Sequence, residues 1–163
     1  LYRHKSINCL VSLTHGEGFG LPLFEAAYSG LPVLATDWSG HLDFLYMPVK
    51  DKKGKEKLRP YFARVEYDLQ PVQEAAVWEG IIQKDSMWAF PQPGSYKMKL
   101  REVLKDYGRY KSQAKKLQKW ILKNFTKEQQ YNKLTENVKC YMLEEYNLSN
   151  WVDQLSQDVC EFE

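Results

Sequence analysis

The chain has 163 residues, a length that fits one domain, and 44% of them are hydrophobic, with 5 Trp, 11 Tyr and 7 Phe. That is enough apolar bulk for a packed core, and it excludes global disorder. A formal net charge of +2 at pH 7 excludes wholesale nucleic-acid binding, and no apolar run approaches the roughly 20 residues that span a bilayer.

Ile7 to Leu13 is apolar and rich in strand-forming residues, and reads as a buried strand. A turn follows through His15, Gly16, Gly18 and Gly20. Pro22 suits the first turn of a helix, which Leu23, Phe24, Ala26, Ala27 and Tyr28 continue and Gly30 ends. Pro32 to Thr36 reads as a second buried strand, so the segment is a βαβ unit on a parallel sheet. Ser39 and Gly40 make a turn, and His41 to Tyr46 has room for one or two helical turns. The charged run Lys50 to Lys57 reads as an exposed loop, and Tyr61 to Tyr67 alternates as a third strand. Gln70 to Gln92, with its prolines and Trp78 and Trp88, is ambiguous. The remainder is helical. Ser95 is placed to cap a helix from Tyr96 to Tyr107, ended by Gly108. A second helix runs from Tyr110 to about Phe125, with Tyr110, Ala114, Leu117, Ile121 and Phe125 on one face. Thr126 and Gln129 form a capping-box pattern for a third, from Lys127 to about Leu148. The segment 151–163 is an acidic tail. The expected fold class is α/β, a partial doubly wound parallel sheet of about three strands followed by C-terminal helices.

Cys9, Cys140 and Cys160 are far apart and odd in number, and no C-x-x-C spacing suggests zinc. Reduced thiols in a cytoplasmic protein are the plain reading. No signal peptide is visible, but the chain starts at Leu1, so its true N-terminus is expected to lie upstream.

The chemistry concentrates in Gly16 to Pro22. In an α/β sheet this turn lies at the carboxyl end of a strand, where ligands bind. The first N–H groups of the helix it opens lack internal partners and favour an anion by roughly 0.3–1 kcal/mol at an exposed site. Gly16, Gly18 and Gly20 give G-x-G-x-G, which is not the dinucleotide fingerprint G-x-G-x-x-G. The turn also lacks the lysine of a P-loop. An NAD-linked enzyme is therefore disfavoured. Glu17 and Glu25 are acceptor-only when ionised, and each suits a pair of sugar or ribose hydroxyls. Their separation, on the order of 8–12 Å from helical rise, suits a grip on two parts of one elongated ligand better than a glycosidase acid/base pair.

The segment Thr14, Glu17-Gly18-Phe19-Gly20-Leu21-Pro22, Glu25-Ala26, Gly30, Pro32-Val33, Thr36-Asp37, Ser39-Gly40 resembles the E-x7-E signature of GT-B glycosyltransferases. The family 4 group of retaining enzymes is the nearest likeness. Trp88-Ala89 with Pro91, then Leu100, Arg101 and Val103, then Phe125-Thr126 are similar to that family's closing elements, though more loosely.

The resemblance implies that residues 1–150 are part of a nucleotide-sugar-binding domain, closed by helices within 95–148. It implies that Glu17 accepts hydrogen bonds from donor-sugar hydroxyls as the catalytic-site acid. Backbone N–H groups at Gly18, Phe19, Gly20 and Leu21 would meet the sugar or diphosphate, and Glu25 would hold the ribose. It further implies a UDP- or GDP-linked sugar as donor, hexosyl transfer with retention to an unknown acceptor, and no cofactor or essential metal. The family's diphosphate-binding Arg and Lys, and its acceptor domain, would precede Leu1. Arg3, His4 and Lys5 are expected on the last turn of a preceding helix rather than in that role. The fragment alone is then expected to be weak or inactive, and Ile7–Leu13 to be an uncovered sheet edge open to homodimer pairing. The alternative is a non-catalytic sugar-nucleotide-binding fragment that assembles with another chain.

Simpler readings compete elsewhere. His15 is as well explained by packing as by substrate contact. His41 and Asp43 lie two apart in a probable helical turn and face different ways, which disfavours a catalytic dyad. The lysines at 111, 115, 116, 119 and 123 read as a solvated face, with peripheral membrane contact as the functional alternative.

Overall fold

The computed structural model describes residues 1–142, which divide into a unit of Leu1–Lys123 and a second that begins at Asn124. In the first unit β1 (Leu10–Ser12), β2 (Val33–Thr36) and β3 (Ala63–Val65) form a parallel three-stranded sheet in that order. Helix α1 (Leu21–Tyr28) packs on β1 and β2 through Leu23, Ala26 and Ala27. All four residues of β2 are buried, as expected of a central strand covered on both faces. Leu34, Ala63, Val65, Val103 and Tyr110 form one core cluster, with Val103 supplied by α3 (Pro93–Lys105) and Tyr110 by α4 (Tyr107–Asn124).

Helix α1 ends as its glycine predicts. Gly30 has φ +72°, its N–H bonds Ala27 O, and the Leu31 N–H bonds Ala26 O. This pair of bonds is a Schellman closure, with Leu31 and Ala26 both buried. The short helix α2 (Leu42–Leu45) follows β2.

Two antiparallel hairpins depart from the sequence reading. The charged run at Lys50–Lys57 is the tip of a hairpin, β4 (Tyr46–Lys50) with β5 (Glu56–Pro60), and only residues 51–55 form the loop. The Asp51 carboxylate organises that loop by accepting from the Lys53 and Lys55 N–H groups at 2.8 and 3.0 Å. The segment with no reading, Gln70–Gln92, holds most of a second hairpin, β6 (Tyr67–Pro71) with β7 (Met87–Pro91).

Three end signals are also corrected. Ser95 lies inside α3, whose N-cap is Gln92, and its buried hydroxyl accepts from the Glu66 N–H at 2.9 Å. Helix α3 stops at Lys105, and Gly108 falls in the first turn of α4 instead of ending its predecessor. Residues Leu1–Ile7 form successive turns, closed by His4 N–H to Leu1 O and Ile7 N–H to His4 O, and not the end of a helix.

In the second unit, α5 (Lys127–Met142) begins with the expected capping box. The Gln129 N–H donates to Thr126 Oγ1 at 3.3 Å and the Thr126 N–H to Gln129 Oε1 at 3.4 Å. The extension of this helix to Leu148, the acidic tail 151–163 and Cys160 lie outside the described residues.

Candidate active site

The glycine turn joins the carboxyl end of β1 to the N-terminus of α1, and the loop after β2 clasps it. The Glu17 N–H donates to Ser39 Oγ at 2.8 Å, the Ser39 hydroxyl donates to Glu17 O at 2.5 Å, and the Gly40 N–H donates to Glu17 O at 3.1 Å. The approach is so close that a Cβ on Gly40 would lie 2.0 Å from Gly18 O. Ser39 holds φ +89°, the one non-glycine residue with positive φ among those described. A backbone strained in this way costs of order 1–3 kcal/mol and persists because its surroundings demand it. The matched positions Ser39 and Gly40 thus have a mechanical role, which is to fix the backbone at Glu17.

Gly20 is the N-cap of α1 with φ +80°, and a Cβ there would meet Leu23 Cδ1 at 2.9 Å and His41 Cβ at 3.0 Å. No side chain caps the helix, no acid lies in its first turn, and Pro22 has no N–H to offer. Among the described residues, the N–H groups of Gly18, Phe19, Gly20 and Leu21 bond no acceptor. The Phe19 ring anchors the turn by packing on Phe24 and Phe44, with centroids 5.3 and 5.1 Å away. Glu17 is half-buried in the turn, while Glu25 is exposed on α1. The Glu25 carboxylate lies beside the Tyr2 phenol, whose pKa is raised by desolvation first and then by this carboxylate.

His41 is buried and donates from Nε2 to Thr36 O at 2.7 Å, because a carbonyl can only accept. Its Nδ1 and the Thr36 hydroxyl have no hydrogen-bond partner among the described residues. Asp43 is exposed, and no bond joins it to His41 among the described residues, so the disfavoured dyad does not form.

The sequence reading missed two features. Asp37, at the end of β2, accepts from the Tyr46 hydroxyl at 2.8 Å and from Arg64 at 3.2 Å. Desolvation, then the partners Arg64 and Asp37, move the Tyr46 phenol, with a net rise. Arg64 is the exposed member of an alternating buried strand, a pattern that marks a face but not a partner. The second feature is a cleft of about 520 Å³ lined by Thr14, His15, Gly16, Trp38, Met87 and Trp88. His15 forms part of its floor by packing. Its Nδ1 donates to Ala89 O at 2.9 Å, and its ring stacks on Trp88 at 5.0 Å. Pairing across the second hairpin brings Trp88 to the turn, and no local signal in the sequence marks that approach.

A glycine turn opening a helix at the carboxyl ends of parallel strands is where α/β domains bind their ligands. The family model described as Family 4 Glycosyltransferase in conflict systems matches residues 5–134, and the chain belongs to that family. Comparisons with curated proteins and with solved structures return no match.

Proposed function

We propose that the protein transfers a hexosyl group from a nucleoside-diphosphate sugar to an acceptor with retention, and that this chain supplies the donor-binding part. The observation that carries the reading is the row of open N–H groups from Gly18 to Leu21 at an uncapped helix N-terminus. Such an end attracts the diphosphate, and it stabilises the charge that grows on it as the glycosidic bond breaks. Glu17 stands beside those donors with its backbone fixed, and accepts from hydroxyls of the donor sugar. Glu25, exposed on α1, accepts from the ribose hydroxyls. The turn supplies this stabilisation through helix dipole and backbone N–H groups, with no essential metal. The reaction belongs in the cytoplasm, where nucleotide sugars and a reduced Cys9 coexist.

The test is donor hydrolysis and transfer by the protein across UDP- and GDP-sugars, with Glu17→Ala and Glu25→Ala. Each variant should lose roughly ten- to hundredfold in kcat/KM, the value of a hydrogen bond to a charged group. Glu25→Ala should act mainly on donor KM. Near-wild-type kinetics in both variants would sink the assignment. One observation favours a second reading, a binding subunit that pairs with another chain: β1 is an edge of the sheet, with Val11 40% exposed. Donor binding without turnover in the same assay selects it.

A further inference from the structure

At the opposite end of α1 from the glycine turn lies a cleft of about 590 Å³. One wall is the segment from Tyr2 to Asn8 that leads into β1. The other is the row Tyr107, Lys111, Lys115 and Gln118 of α4. These four side chains share a helix face because residues three and four apart lie above one another. Ser29, the C-cap of α1, closes the end.

The charge of this cleft is one-sided. Arg3, Lys5, Lys111 and Lys115 line it, and no carboxylate does. The ion pairs given by the described residues, Arg64–Asp37, Lys99–Glu102, Arg109–Glu102 and Arg109–Asp106, involve none of these four cations. Helix α4 contains no Asp or Glu at all. The Glu25 carboxylate raises the pKa of Tyr2 in the wall but does not line the cleft.

Neutral acceptors hold the lysines in place. Lys111 Nζ donates to Gly30 O and Lys115 Nζ to Gln118 Oε1, both at 3.3 Å, and Gln118 Nε2 donates to Tyr28 O at 2.8 Å. Capping the C-terminus of α1 accounts for Lys111. It does not account for Arg3, Lys5 or Lys115, which bond none of its carbonyls. Like charges gathered in one cleft repel. An anion entering it relieves that repulsion and gains charge-assisted hydrogen bonds. The volume lies within the range of small-molecule sites, roughly 300–1,000 Å³. Asn8 and Ser29 add uncharged donors.

We propose that this cleft is a second anion site, separate from the glycine turn, that takes a phosphate-bearing group such as a phosphomonoester or a diphosphate. The proposal does not depend on the donor-site reading, since it uses other residues at the other end of α1.

The probe is inorganic pyrophosphate, titrated calorimetrically into the wild-type chain, the Lys5→Gln/Lys115→Gln double variant, and Lys116→Gln as a control. All three lysines are exposed, so the fold survives, and Lys116 does not line the cleft. Wild type should bind. The double variant should bind roughly tenfold more weakly or worse, and Lys116→Gln should change affinity less than about twofold. No binding by wild type overturns the proposal. So does an equal loss in Lys116→Gln, which indicates diffuse charge, or no loss in the double variant, which moves the anion to the glycine turn. Phosphatidylserine–phosphatidylcholine vesicles separate the sources of the phosphate. Vesicle binding that pyrophosphate competes away and the double variant loses assigns a lipid headgroup, and pyrophosphate binding without vesicle binding assigns a free phosphoester. Both outcomes support the site. Duplex DNA that binds more tightly than pyrophosphate, and weakens with every lysine variant, overturns it in favour of a nucleic-acid surface.

Discussion

Helix α1 is finished differently at its two ends. The C-terminal end is closed: Gly30 and Leu31 bond back onto Ala27 and Ala26, and Gln118 and Lys111 of α4 take the Tyr28 and Gly30 carbonyls. The N-terminal end is open, with no capping side chain, no acid in the first turn and a row of N–H groups without acceptors among the described residues. Helix ends cost stability when their polar groups lack partners, so closure at one end serves the fold. The end left open keeps its hydrogen-bonding capacity unspent, and the clasp from Ser39 and Gly40 holds it in shape without filling it.

This contrast predicts unequal effects for two matched glycine substitutions. In Gly40→Ala the new Cβ meets the Gly18 carbonyl, a backbone atom that cannot rotate away, at 2.0 Å. The substitution should cost about 3 kcal/mol or more and abolish donor binding with it. In Gly30→Ala the residue keeps φ +72°, and its nearest contact is Gln118 Oε1 at 2.6 Å, the tip of a flexible side chain. That should cost about 1–2 kcal/mol and leave donor affinity unchanged. Denaturant unfolding and nucleotide titration on both variants check this. Equal losses of affinity would erase the distinction between the ends.

A smaller effect probes the joint between α3 and α4, the helix that meets the closed end. Lys99 on α3 and Arg109 on α4 hold the Glu102 carboxyl down at about 2, well below its ordinary 4.5. A depressed folded-state value stabilises above the ordinary pKa and is lost as pH falls through 4.5 toward about 2. The group is partly exposed, so the contribution is below about 1 kcal/mol after solvent screening. Unfolding free energy measured over that interval should fall less steeply in Glu102→Gln than in the wild type. Identical slopes would remove the joint from the account.

The strand–turn–helix–strand segment was legible because its signals are local. Pro22 and Gly30 punctuate α1, and the apolar run of β2 sits directly after it. The same holds for Thr126 and Gln129, which face each other one turn apart. The second hairpin was not legible. Tyr67–Pro71 and Met87–Pro91 are far apart in sequence, each ends in a proline, and their register is set by pairing across the gap. The charged hairpin hid for another reason. Its second strand, β5, is mostly exposed, so lysine and glutamate occupy positions that a buried strand would fill with apolar residues. Ser95 and Gly108 look like helix punctuation, but tertiary demand overrides them. One hydroxyl serves the Glu66 N–H, and one glycine lies where a new helix starts at once. At the candidate site, Glu17 to Gly20 lie on the turn and Leu21 and Glu25 on α1. The clasp, the Asp37–Tyr46–Arg64 cluster and the His15–Trp88 stack all join residues distant in sequence, which one-dimensional periodicity does not encode.

The central claim is that the open end of α1 receives the donor's diphosphate. Backbone amide chemical shifts, followed as UDP or GDP is added to the isotope-labelled chain, test it directly. The largest shifts should fall on Gly18, Phe19, Gly20 and Leu21 and vanish in Gly40→Ala. Saturable binding that leaves these four amides unmoved would contradict the claim.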